Sequence, residues 1–157
     1  MKIGEDRTSV PRPPYDRGVR LRGKMRRELH VVPECSPWLD PADRVVGVLR
    51  QVRVTVVSRE VGAYNGFTEH ITPAQLARVP EWLEETARGA TGTLELGTPD
   101  EGARLEHQGE GLLVAELRGE LRPWWWEEPA EVVYFELWVE AVELLRAARD
   151  LRAELEA

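Results

Sequence analysis

An α+β domain on an antiparallel sheet is the fold class this sequence predicts, and three observations carry the prediction. Apolar side chains recur with period two at Val52, Val54 and Val56, at Leu113, Ala115, Leu117 and Leu121, and at Val133, Phe135 and Leu137. Polar residues between them (Arg53, Thr55, Glu116, Arg118, Glu120) point the other way, so each strand has one wet face, as antiparallel sheets do. Two stretches switch to the helical period: Leu76, Val79 and Leu83, then Leu144, Ala148, Leu151 and Leu155. The helices fall between and after runs of strands, which is α+β order. A length of 157 residues fits one domain. The expectation is a single antiparallel sheet of about five or six strands with two main helices packed on one face.

Residues 1–28 read as a basic arm rich in Pro and Gly, with regular structure starting no earlier than Val19, and residues 29–157 as the domain. Val19–Arg22 can form a short strand. Leu29–Val32 reads as another, ended by Pro33, with Cys35 to Pro41 a loop anchored by Trp38. Val45 to Arg59 is the clearest strand of the first half, with Gly47 marking a bulge or a gap. Gly62 to Thr68 then reads as a flexible reversal, and Phe67–Ile71 as a further strand.

Thr72-Pro73-Ala74-Gln75 has the features of a helix start. Thr72 accepts from a free amide, Pro73 sits where no donor is needed, and Gln75 completes a capping box. Pro80 predicts a kink or two short helices, and Gly89 a stop. Gly92–Leu96, Ala103–His107, Gly111–Arg122 and Glu131–Trp138 follow as strands. The closing helix carries Glu143, Arg146 and Asp150 at ion-pair spacing.

Net charge is −7, yet residues 1–30 hold nine Lys/Arg against four Asp/Glu. A basic arm on an acidic body serves an acidic partner or folds back on its own body. No apolar run reaches membrane-spanning length and no secretory signal is visible, so no membrane association is expected. Cys35 has no cysteine to pair with and fits a reducing compartment, which makes the cytoplasm the expected location.

Little in the chain demands chemistry. His30, His70, His107 and Cys35 lack metal-ligand spacing, and no phosphate loop, nucleophile elbow or zinc-protease motif is present. No catalytic residue, metal or cofactor is therefore expected. The most unusual stretch is Pro123-Trp124-Trp125-Trp126-Glu127-Glu128-Pro129. Adjacent side chains diverge, so three tryptophans in a loop cannot all enter one core, and tryptophan is enriched in binding hot spots. Trp124, Trp125 and Trp126 with an acidic rim of Glu127 and Glu128 are the candidate contacts for a protein partner or a second copy. Arg20, Arg22, Lys24, Arg26 and Arg27 are candidate nucleic-acid contacts, although only Tyr15 is near to stack and the acidic body opposes a phosphate backbone.

From Val52 onward the order of elements resembles the WapI-type immunity proteins of bacterial toxin systems. The resemblance lies in the valine strand, the Thr72-to-Leu76 helix start, the strand GLLVAELRGEL, and the aromatic strand VVYFELW entering the last helix. It covers about 100 residues of the chain. Val139-Glu140-Ala141 departs from the acidic residue and Thr that the family shows between final strand and helix. The resemblance implies a small α+β protein that neutralises a toxin by binding it, without catalysis, and an acidic body suits a basic toxin. The leading function is thus a non-enzymatic, immunity-like protein-binding module. The alternatives are a small hydrolase or carbohydrate-active enzyme using the face with Glu116, Glu120 and Glu136 beside the Trp loop, and a nucleic-acid binder working through the basic arm.

Overall fold

The computed structural model describes residues 18–39, 41–60, 62–122 and 132–155, with backbone alone for 35–39 and 45–49. Among these residues eight strands and two α-helices follow in order: β1 (Val19–Arg22), β2 (Glu28–Leu39), β3 (Val45–Ser58), β4 (Gly62–Thr68), α1 (Pro73–Ala87), β5 (Gly92–Gly97), β6 (Gly102–Gly109), β7 (Leu112–Arg118), β8 (Val132–Trp138) and α2 (Ala141–Leu155). The strands form two four-stranded antiparallel sheets, β1-β2-β3-β4 and β5-β6-β7-β8, instead of the expected single sheet of five or six. Each is a meander of contiguous sequence, and α1 separates them. The alternating faces of both sheets feed one core with both helices, so two small sheets do what one wider sheet was expected to do.

Much of the excess strand comes from segments whose composition reads as loop. β2 runs through Pro33 and Pro37, which stand opposite Val52 and Val48 of β3. The pairing of β1 with β2 ends at Val19–Val31, so beyond Val31 β3 alone flanks β2 among the described residues. A strand with one open side tolerates prolines, because the donors they lack have no partner there to satisfy. β4 occupies the Gly62–Thr68 stretch expected to be a reversal, ending where the expected Phe67–Ile71 strand was to begin. Gly66 lets β4 approach closely there: a Cβ would sit 3.1 Å from Leu121 Cα, a tight contact. Near Gly47 the bulge is present: Trp38 faces Gly47 and Leu39 faces Val45, leaving Val46 extra.

α1 starts as its sequence dictates. Thr72 Oγ1 accepts from the Gln75 amide at 3.2 Å, and Gln75 Oε1 accepts from the Thr72 amide at 3.0 Å. It ends in a Schellman arrangement, with Gly89 at φ +97° and the Ala90 amide donating to Glu85 O at 3.1 Å. Between these caps the helix is continuous through Pro80, so the alternative of two short helices is not what forms. Leu76 and Val79 before the proline and Trp82, Leu83 and Thr86 after it are all buried. That packing on both sides offsets the roughly 3 kcal/mol an interior proline costs. In α2 the stripe is Leu144, Ala147, Ala148 and Leu151, while Leu155 is exposed.

α2 also closes the free edge of β1. The Gly18 amide donates to Glu154, the Arg22 amide donates to Glu143, and Arg20 O accepts from Arg146. These groups alternate along β1 on the side away from β2, the pattern an added strand would otherwise use. The α2 side chains are tied to one another: Arg146 pairs with Glu143 and, at 2.7 Å, with Asp150. The hydrogen bond from Arg146, outweighing burial, holds the Glu143 carboxyl below the usual glutamate range. On the edge of β5 a neutral amide does the same work. Gln75 accepts from the Gly97 amide and donates to Gly97 O, both at 2.8 Å.

Candidate functional site

The β1–β2 and β6–β7 turns, the end of α1 and the start of α2 meet around Trp138. Between β1 and β2 the chain reverses through Gly23–Arg27, with the Gly23 amide donating to Arg27 O at 2.8 Å. Met25 and Arg26 both adopt positive φ there, at 62° and 58°. Gly23 is pressed against β8: a Cβ would lie 2.8 Å from Trp138 O and 2.5 Å from Leu137 Cδ1. This contact carries the hairpin tip to the junction of β8 and α2. Trp138 is 41 % exposed, because it lies on the face of β8 opposite the buried Val133 and Leu137.

Two depressions flank Trp138. The deeper, about 350 Å³, lies between the C-terminal turn of α1, the β6–β7 turn at Glu110-Gly111, and the β8–α2 junction. The shallower, about 240 Å³, lies between the hairpin tip and the first turn of α2. Lys24, Trp138 and Glu140 border both and form the ridge between them. Val142 in the shallower one is 70 % exposed, and so is Met25 on the tip. An exposed apolar side chain such as Val142 in the same depression as an exposed tryptophan is what a contact surface needs.

A run of hydrogen bonds fixes the deeper depression. The Val139 amide donates to Gly111 O at 2.8 Å, and the Gly111 amide donates to His107 Nε2 at 3.1 Å. His107 Nδ1 lies 2.6 Å from Ala90 O. A carbonyl only accepts and an amide only donates, so the ring carries its proton on Nδ1 and its lone pair on Nε2. Both nitrogens are used, and His107, 2 % exposed, has none left for a metal or a substrate. Gly111, at φ +83°, allows the approach, since a Cβ would stand 2.5 Å from Val139 O.

The other candidates are dispersed. Trp124, Trp125, Trp126, Glu127 and Glu128 lie outside the described residues. Of the basic set, Arg20 is tied to Glu28 at 3.0 Å. Arg27 pairs with Glu60 at 3.8 Å, donates to Glu136 O, and lies 5.5 Å from the Phe135 ring centroid. Arg22, Lys24 and Arg26 are exposed at the tip. On the expected glutamate face, Glu116 stands opposite Tyr134 and Glu136 opposite Val114, so the two carboxylates do not face each other. Glu116 and Glu95 instead hold Arg118, which was expected to be solvated and is 6 % exposed. Its guanidinium also donates to Thr98 O at 3.1 Å. His30 bonds Glu28 at 3.0 Å and His70 is exposed. Burial would raise the Glu28 carboxyl, but hydrogen bonds from His30 and Arg20 outweigh it and leave it lowered. Among the described residues no group of three or more His, Cys, Asp or Glu is placed to hold a metal, and no helix is long and apolar enough to cross a membrane.

The ridge was only half legible. Trp138 occupies the outward parity of its strand, which the alternation shows, but the depressions beside it are lined by residues 22–24 and by Thr86, Ala87 and Gly89, far away in sequence. No protein-family model matches the chain, and no curated protein or solved structure is significantly similar to it.

Proposed function

We propose that the chain is a non-enzymatic protein-binding module of the immunity type, which neutralises a partner by occupying its surface. The observation that carries the reading is Trp138, exposed on a ridge between two depressions, one of which it shares with the exposed Val142. Rigid aromatic side chains at such positions supply a large share of binding energy at low entropic cost. Trp124, Trp125 and Trp126 with Glu127 and Glu128 are proposed as a second contact region, and the cytoplasm as the place of action. The enzyme reading is weaker because Glu116, His107 and Arg118 are already committed to partners inside the fold. The nucleic-acid reading is weaker because Arg20 and Arg27 are engaged with acidic groups of the body.

The test uses the intact chain and its Trp138→Ser variant as baits in an extract of the source cells, with bound proteins quantified and thermal unfolding recorded. A stoichiometric protein that the variant loses by about tenfold or more, at unchanged melting temperature, supports the reading. A protein retained equally by both removes Trp138 from the interface. Absence of any stoichiometric protein with either bait overturns the module.

A further inference from the structure

The deeper depression has a chemical character that names the group it takes. Its exposed carboxylates are Glu110 and Glu140, its aromatic wall is Trp138, and its back is the C-terminal turn of α1 at Thr86 and Ala87. A 15-residue helix presents partial negative charge at this end. α1 has no basic residue in its last turn to offset it, and Arg88, the cap, is exposed. The indole face attracts cations as well, tryptophan being the strongest side chain in this respect. The ring of His107, its nitrogens both occupied, offers no competing donor. Among the described residues, one lining cation stands against these: Lys24, on the exposed hairpin tip.

We propose that this depression receives a basic side chain, a guanidinium or ammonium group, presented by the protein partner. The proposal rests on the binding reading above and gives the partner's chemistry: a basic residue projecting from its contact surface into a slot of two carboxylates, an indole and a helix C-terminus. The slot is preformed, because the Val139–Gly111–His107–Ala90 bonds fix its walls before anything enters, which lowers the ordering cost of binding.

The probe is the blocked tripeptide acetyl-Gly-Arg-Gly-amide, with its citrulline counterpart as the uncharged isostere. Each is titrated into the full isotope-labelled chain while the Trp138 indole and the Gly111 and Ala87 amides are followed by NMR. The arginine peptide is expected to shift these signals saturably, and the citrulline peptide to bind about fivefold more weakly. Glu110→Gln with Glu140→Gln should weaken the arginine peptide by about fivefold, and Lys24→Met should tighten it by about twofold. Both glutamates are exposed, so the double variant should melt like the parent. Equal binding of the two peptides, or shifts confined to other parts of the chain, overturns the slot. If the slot fails while the partner is still lost with Trp138→Ser, the binding module stands with an apolar contact there. If the arginine peptide binds and no partner is captured, the slot stands and the module falls.

Discussion

The two sheets secure their outer edges in different ways. On β1 the free edge is taken by Glu143, Arg146 and Glu154, charged side chains that reach across from the far end of the chain. On β5 it is taken by Gln75, an uncharged side chain already ordered by its place in the helix cap. One closure depends on protonation and salt, and the other on neither. Similar strands are thereby given different sensitivities, and the edge at β1 is the responsive one.

The largest expected effect tests whether the halves are separate at all. Leu137 is 1 % exposed in β8 and sits under Gly23 of the β1–β2 turn. Leu137→Ala should cost about 3 kcal/mol in urea unfolding, in one transition affecting both sheets. Two separate transitions would mean that the shared core does not couple them. Next comes the neutral clasp. Gln75→Ala removes the bonds to Gly97 and half of the capping box, and should cost about 1–2 kcal/mol, unchanged between low and high salt.

Arg146→Met removes the charged clasp at a side chain that is 31 % exposed, so its cost should be smaller, about 1 kcal/mol. This cost should shrink in high salt. If it does not, packing and not charge holds α2 on β1. The finest comparison is in pH. Glu28 and Glu143 are lowered in the folded chain from the ordinary 4.5, so their stabilisation is complete above that value. It is lost as the pH falls through their lower folded values. Hydrogen-exchange protection of the Arg22 amide should therefore drop on acidification below 4.5, while that of Gly97 holds. Parallel loss at both sites would remove the distinction.

The parts of the fold legible in the sequence are those decided locally. Thr72, Pro73, Gln75 and Gly89 mark the ends of α1, because capping involves residues three or four apart. The valines of β3 and the leucines of β7 show their buried face by alternation alone. What was misread depends on distant partners. Gly66 looks like a turn residue until Leu121 is seen lying against it. Pro33 and Pro37 look like strand breakers until this part of β2 is seen to have no second neighbour among the described residues. Arg118 looks solvated until Glu95 and Thr98 close over it. Of the candidate site, the parity of Trp138 was readable, while the convergence of Lys24, Glu110 and Glu140 around it was not, since no local pattern encodes it.

The clasp of α2 on β1 also bears on the order in which the fold is completed during synthesis. All four strands of the first sheet leave the ribosome before α1, and every strand of the second before α2. Until residues 141–155 emerge, β1 exposes the amides of Gly18 and Arg22 and the carbonyl of Arg20 to any extended chain nearby. A chain whose α2 has yet to emerge therefore carries an adhesive margin along β1, which that helix then covers.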